Sequence, residues 1–422
     1  MLNLIEVLLS ALVAVVATTM YFVWARRRHT AHLTLEIDRL PALDQSVALL
    51  AGMTGAGIYQ GNAARLIYDG ALFDDMEQDI RAARHTIHLE TFVWSAGTLE
   101  DRMVALLSET TARGVQVRLI IDAMGGNQAS AAALERLRDA GVQLVIYRRP
   151  RRLNLRRLNH RTHRKLLIVD GAIAYIFGHG FADQWLGHGQ DHAHWRDTGV
   201  RVEGPVVHGL QSTFFQHWTE ETHGVPAGEG IFPILEPRGD VEAHVVHSDA
   251  GEAVSSVATL YTLALASARR EIVIQNPYFV PGRSVVALLK EMVRRGVTVH
   301  LMVPGRNTDS RFVRRAGCYL YEGLMRAGVH LYEYEPSLIH QKIVIVDGIW
   351  SHIGSTNFDA RSLALNEEAG VGLRDATLAA DLRRSFERDL ASSHEMDPDR
   401  WRQRGRWRRA FEWFAYQLHE QL

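Results

Sequence analysis

The chain repeats itself, and the repeat limits its fold more than any other feature. Ala83-Arg84-His85-Thr86-Ile87-His88-Leu89-Glu90 matches Ala268-Arg269-Arg270-Glu271-Ile272-Val273-Ile274-Gln275. Each reads as a helix end running into alternating apolar residues, the pattern of a strand. A second pair follows, Arg113-Gly114-Val115-Gln116-Val117 and Arg295-Gly296-Val297-Thr298-Val299, where glycine ends a helix and β-branched residues open a strand. Both halves then carry one more shared phrase, His163-Arg164-Lys165-Leu166-Leu167-Ile168-Val169-Asp170 and His340-Gln341-Lys342-Ile343-Val344-Ile345-Val346-Asp347. The common order predicts an α/β fold: two α/β domains with mixed sheets flanked by helices, related by pseudo-twofold symmetry and facing each other.

A chain of 422 residues is long for one core, since single cores stop growing near ~250 to 300 residues, so two are expected. Gly224 to Asp240, with Pro226, Pro233 and Pro237, reads as the linker between halves. The halves are then 61–223 and 241–395, preceded by a segment 29–60 and followed by a basic, aromatic tail 396–422. Val7 to Trp24 holds no charge and is followed by Arg26, Arg27 and Arg28. The spacing predicts a transmembrane helix over 1–28 with the rest of the chain on the cytoplasmic side of the inner or plasma membrane, a cleaved signal sequence or a buried hairpin helix being the alternatives. The lone Cys318 forms no intramolecular disulfide and reads as a packed thiol. A net charge of -1 gives no global attraction to nucleic acid or anionic lipid, so any such attraction is local.

The shared phrase carries the chemistry. A strand's period of two puts His163 and Lys165 on one face, and likewise His340 and Lys342. The four apolar residues before Asp170 or Asp347 mark a buried strand whose start is exposed at one end. Facing halves would bring two imidazoles and two ammoniums together. That set suits a phosphodiester, with lysines on the nonbridging oxygens, one histidine attacking phosphorus and the other protonating the leaving oxygen. The reading calls for no cofactor and no metal.

With this duplicated HxKxxxxD motif the chain resembles the phospholipase D superfamily from about Gly61 to its carboxy terminus. The resemblance implies that His163, Lys165, Asp170, His340, Lys342 and Asp347 form the catalytic set, with His163 as nucleophile and His340 as acid and then base, although the motifs alone allow the reverse. Gly354-Ser355-Thr356-Asn357 is similar to the family's GSxN element, which implies that Asn357 contacts phosphate and Ser355 supports the site. Glu368 occupies the place of an acid that orients a catalytic histidine, and Asp197 looks like its first-half counterpart. The first half departs from the pattern: Phe177-Gly178-His179-Gly180 puts Gly180 where many relatives have asparagine. Phosphate binding there then falls to backbone amides or Asn357; His179 reads as a loop side chain facing solvent, with substitution for the missing donor as the alternative.

Three features favour a lipid substrate: the amino-terminal run, the Tyr147 to Lys165 segment and the tail. The segment carries Arg148, Arg149, Arg151, Arg152, Arg156, Arg157, Arg161 and Arg164 among leucines, which suits anionic headgroups and equally nucleic-acid phosphates or a solvated loop. In the tail, Trp401, Trp407, Phe411, Trp413, Phe414 and Tyr416 mix with arginines, as in a helix lying on a membrane or packed on the protein. Leu89-Glu90-Thr91-Phe92, Arg201-Val202-Glu203-Gly204-Pro205 and Gly354 to Ser362 resemble bacterial cardiolipin synthase segments, which implies joining two phosphatidylglycerols with release of glycerol. Water and other alcohols are alternative acceptors within the superfamily. The expected partners are phospholipid and membrane; a nucleic-acid substrate is disfavoured, and the oligomeric state is not readable.

Overall fold

A computed structural model describes residues 40–149, 160–228, 230–249 and 254–421, with scattered positions before 40. Its centre is one sheet of fifteen strands. The first half supplies β1 (Ile58–Tyr68), β2 (Thr86–Thr91), β3 (Gln116–Asp122), β4 (Gln143–Tyr147), β5 (Leu166–Val169), β6 (Ile173–Phe177) and β7 (Thr198–Glu203). The second supplies β8 (Val241–His247), β9 (Glu271–Gln275), β10 (Thr298–Pro304), β11 (His330–Tyr334), β12 (Ile343–Val346), β13 (Trp350–Gly354), β14 (Ala369–Arg374) and β15 (Ser393–Glu395). The spatial order is β15-β11-β10-β9-β12-β13-β14-β8-β1-β7-β6-β5-β2-β3-β4. Read outward from the β1/β8 pair, each half runs through its strands in the same order, and β15 alone has no counterpart. The sheet is mixed: β2, β3 and β4 run parallel, as do β9, β10 and β11, while β5 and β12 pair antiparallel with β2 and β9.

Each half has an apolar cluster of its own, and a third cluster is shared between them. β1 pairs antiparallel with β8, and one apolar cluster joins first-half residues such as Leu166, Ile168 and Val200 to second-half residues such as Val273, Ile343 and Val371. Two further clusters belong mainly to one half each. The helix Leu43–Thr54 precedes the first half in sequence, yet Leu43, Val47 and Leu50 pack into the second-half cluster. The 224–240 segment has no helix or strand among its described residues. It lies along the first half: Gln211 Nε2 donates to the Ile231 carbonyl at 2.7 Å, and His208 Nε2 lies 2.8 Å from the Pro233 carbonyl. Most of Val7 to Trp24 lies outside the described residues, and among those described no helix is long and apolar enough to cross a membrane. Arg151, Arg152, Arg156 and Arg157 also lie outside them.

Local chemistry explains the shape of the two motif strands. Every residue of β5 and β12 is buried, as expected for central strands covered on both faces. Each strand ends in an Asp-Gly turn: Asp170 (φ 52°) and Gly171 (φ 62°), Asp347 (φ 55°) and Gly348 (φ 66°). Backbone bonds from Ala172 N to Val169 O at 3.0 Å and from Ile349 N to Val346 O at 3.2 Å close them. Left-handed dihedrals at two successive residues match the twist of a tight hairpin, and Asp-Gly tolerates them well.

Candidate active site

The residues leading into β5 alternate as expected. Lys165 turns to the same side as His163 and donates from Nζ to the His163 carbonyl at 2.8 Å. Arg164 points the opposite way, to the Thr213 carbonyl at 2.9 Å and Asp249 Oδ1 at 2.8 Å. In the second half Lys342 Nζ likewise donates to the His340 carbonyl, while Gln341 turns away to donate to Thr198 Oγ1 at 2.6 Å. All four motif side chains are buried.

The two halves then exchange their acids. His163 Nδ1 lies 2.9 Å from Glu368 Oε2, and His340 Nδ1 lies 2.6 Å from Asp197 Oδ2. Each ring is therefore held by a carboxylate from the other half. Backbone bonds make the same crossing: His163 N donates to Glu367 O at 2.8 Å, and His340 N to Arg196 O at 2.7 Å. Ser355 Oγ donates to Glu368 Oε2, and Trp185 Nε1 donates to Asp197 Oδ2 at 3.1 Å.

Burial and mutual charge set the protonation states. Desolvation lowers Lys165 to about 7 against the pull of Glu368, with Lys342 adding to the fall. Desolvation also lowers Lys342 to about 8, opposed by Asp197 and Glu368. Burial and then Lys342 push His340 down to about 3 despite Asp197, and burial lowers His163 despite Glu368. Burial favours neutral acids, yet His179, Lys342 and His340 hold Asp197 below the usual carboxylate range, and His163 does the same for Glu368. Each lysine acts electrostatically on both histidines, so the two motifs share one field. Neutral rings that donate Nδ1–H to a carboxylate keep a lone pair on Nε2. Such a site can attack phosphorus, transfer protons and neutralise phosphate oxygens.

Gly180 and His179 explain how the first half departs from the second. A Cβ at Gly180 would lie 2.7 Å from Val93 Cβ and 2.8 Å from Trp185 Cζ3, so an indole fills the space an asparagine side chain would need. His179 does not face solvent: it is fully buried, with Nε2 3.0 Å from the Asp69 carbonyl and its ring edge-on to Phe73. Apolar packing wins because the segment runs directly from β6 beneath the helix Ala71–Ala82. Sequence reasoning missed Trp185, whose ring lies 5.3 Å from that of His340, and Phe92, whose ring lies 5.3 Å from His163. Trp185 has no partner in the repeat, and Phe92 stands in the Leu89-Glu90-Thr91-Phe92 segment without a sign of its contact with His163.

The structure brings His163, Lys165, His340, Lys342, Asp197, Glu368 and Ser355 together. Asn357, two residues after Ser355, is buried with its Oδ1 lacking a hydrogen-bond partner. Asp170 and Asp347 are not brought there. Five residue steps at ~3.3 Å each carry them roughly 16 Å along the chain from the motif lysines. Asp170 accepts from the backbone amides of Arg84, His85 and Thr86 at 2.7 to 2.8 Å. Asp347 accepts from Arg269, Arg270 and Glu271 at 2.7 to 3.0 Å. Among the described residues one three-member set has metal-ligand spacing, His217, Glu220 and Glu367. The Arg148 guanidinium already lies against both of its carboxylates.

A family described as cardiolipin synthase, PLD-like domain matches residues 76–218 and 261–390. Cardiolipin synthase A of Pseudomonas aeruginosa strain UCBPP-PA14 is 33% identical over 397 residues, covering 90% of this chain and 80% of that protein. Major cardiolipin synthase ClsA of Bacillus subtilis strain 168 is 32% identical over 356 residues, covering 82% and 73%. Among solved structures, phosphatidylserine synthase of Haemophilus influenzae Rd KW20 superposes with a TM-score of 0.64 at 11% identity, covering 90% of this chain and all of that one. That last likeness is one of fold.

Proposed function

Because the chain belongs to the cardiolipin synthase family of phospholipase D-like proteins, we propose that it is a phosphatidyltransferase that joins two phosphatidylglycerols into cardiolipin and releases glycerol. The observation that supports this most is the crossed pairing of His163 with Glu368 and of His340 with Asp197.

In the proposed reaction His163 Nε2 attacks the phosphorus of one phosphatidylglycerol. The bond from phosphorus to the headgroup glycerol oxygen breaks as His340 gives that oxygen a proton, and a phosphatidyl-His163 intermediate remains. The incoming lipid anion supplies the negative charge that favours a protonated His340, which its buried, lysine-flanked place disfavours in the empty cleft. A terminal hydroxyl of the second phosphatidylglycerol then attacks phosphorus, His340 takes its proton, and the bond to His163 breaks. Lys165, Lys342 and the Asn357 amide hold the nonbridging oxygens. Asp197, Glu368 and Ser355 keep the rings in the productive tautomer. Asp170 and Asp347 hold the backbone that places the motif strands, and Gly180 makes room for Trp185. The reading keeps 61–223 and 241–395 as the two halves of the enzyme and 1–28 as its membrane anchor.

The test is incubation of the full chain with phosphatidylglycerol in detergent, with products read by mass spectrometry. Cardiolipin plus glycerol supports the proposal, and an acid-quenched adduct on a peptide containing His163 supports the order of events. Phosphatidic acid alone would make the protein a hydrolase, and cleavage of added DNA without lipid turnover would remove the lipid reading.

A further inference from the structure

A cavity of about 770 Å³ lies outside the catalytic cluster, between the loop after β10, the helix Arg311–Met325 and the terminal helices Pro398–Arg402 and Arg406–Gln417. Seven of its lining side chains are arginines, against two carboxylates, Glu333 and Asp397. Those carboxylates are already committed. Glu333 pairs with Arg314, and Asp397 Oδ1 accepts from the Asp399 and Arg400 amides at 2.8 and 2.9 Å. Arg404 and Arg408 pair with the buried Glu412 at 2.9 and 3.0 Å. Asp397 faces Arg400 electrostatically, whereas Arg306 and Arg311 have no ion pair among the described residues, so seven arginines against these carboxylates and Glu412 leave the cavity a positive excess. Trp401 organises the wall. Arg404 and Arg408 lie 4.3 and 5.3 Å over its ring, and its buried indole N–H has no hydrogen-bond partner.

Two neighbours indicate which anion belongs there. The helix Arg406–Gln417 buries Glu412, Ala415 and Tyr416 and turns outward Trp407, 91% exposed, and Trp413, 52% exposed, with Phe411 and Phe414 beside them. Aromatic rings beside arginines suit the boundary between headgroups and acyl chains. The loop after β10 lies within electrostatic range of the catalytic cluster, since Asp309 acts on Lys342 while Arg306 and Thr308 line the cavity.

We propose that this cavity is a second anionic-lipid site, which takes the phosphate of a membrane phospholipid headgroup and seats the cleft against the leaflet beneath the exposed aromatic face. It deepens the proposed function by giving the cleft a docking point, and its binding step is independent of turnover.

Hydrogen exchange on the full chain tests it, in vesicles of phosphatidylcholine alone and in vesicles with about 30% phosphatidylglycerol. The expected result is exchange about tenfold slower over 305–315 and 397–409 in the anionic vesicles, and no such difference in an Arg306→Gln/Arg311→Gln/Arg400→Gln variant whose thermal midpoint matches the parent. Absence of that protection, or its persistence in the triple variant, overturns the site. Equal protection by inorganic phosphate in neutral vesicles overturns the lipid assignment. Cardiolipin formation measured on the same samples separates the two ideas: protection without turnover removes the proposed function and keeps this site, and turnover without protection does the reverse.

Discussion

The imidazole of His163 is held by Glu368, a residue 205 positions further along the chain, with Nδ1 2.9 Å from Oε2. The pair ties the tautomer of one half's histidine to the folding of the other half, so neither half alone holds an oriented ring.

Glu368→Gln is therefore expected to lower kcat by about 10²-fold or more while leaving KM within about threefold, because an amide can take the bond but cannot balance the imidazolium that forms during transfer. Asp197→Asn is expected to act the same way through His340. Steady-state kinetics in mixed micelles check both. A loss confined to KM would show that the carboxylates serve binding instead.

The lysines make anion binding dependent on pH. Lys165 and Lys342 are lowered to about 7 and about 8, below the ~10.4 of a free lysine. Between those values the unfolded chain binds more protons, so these two groups make stability rise with pH from about 7 toward about 10. Anion affinity runs the opposite way, since deprotonated amines do not hold phosphate oxygens. Sulfate keeps its charge over this range and is expected to raise the thermal midpoint more at pH 6 than at pH 9. Equal shifts at both values would place the bound anion away from these lysines.

Much of this arrangement is legible in the sequence, and the unread part has a physical cause. Period-two alternation places His163 with Lys165 and His340 with Lys342 because extended backbone leaves no other choice, and Arg164 and Gln341 turn away for the same reason. The repeat conveys the strand order of each half. It does not convey that β1 pairs with β8, which makes one sheet and a shared core. Nor does it say which ring Asp197 or Glu368 faces, because each follows its own motif and the exchange exists only once the halves dock. His179 looked solvent-facing because its glycine neighbours suggest a loop, whereas close packing from Phe73 and Phe177 buries it.

Asp170 and Asp347 are conspicuous in the motif, yet their geometry assigns them to backbone amides. Asp170→Ala is expected to cost about 2 to 4 kcal/mol of stability, from the loss of charge-assisted bonds to three amides and of a residue that tolerates the left-handed turn. The protein that remains folded should keep its kcat within about threefold. Denaturant melts paired with active-site titration measure the two quantities separately. A loss of kcat per folded site without a shift in melting would return the aspartate to the chemistry.

Gly180→Asn restores the residue type found in many relatives, but the space is already taken. A Cβ there meets Val93 and Trp185 at 2.7 and 2.8 Å, so overpacking is expected to cost about 1 to 3 kcal/mol. Displacing the indole also removes the Nε1 donor that lies 3.1 Å from Asp197 Oδ2, the carboxylate that holds His340. The asparagine should therefore lower both melting temperature and kcat, although it adds a phosphate-binding amide in principle. Trp185→Gly combined with Gly180→Asn vacates the space the amide needs, so the double variant is expected to lose less stability than the sum of the two single losses. Strict additivity of the two single losses would mean that Trp185 supports the fold independently of the space above Gly180.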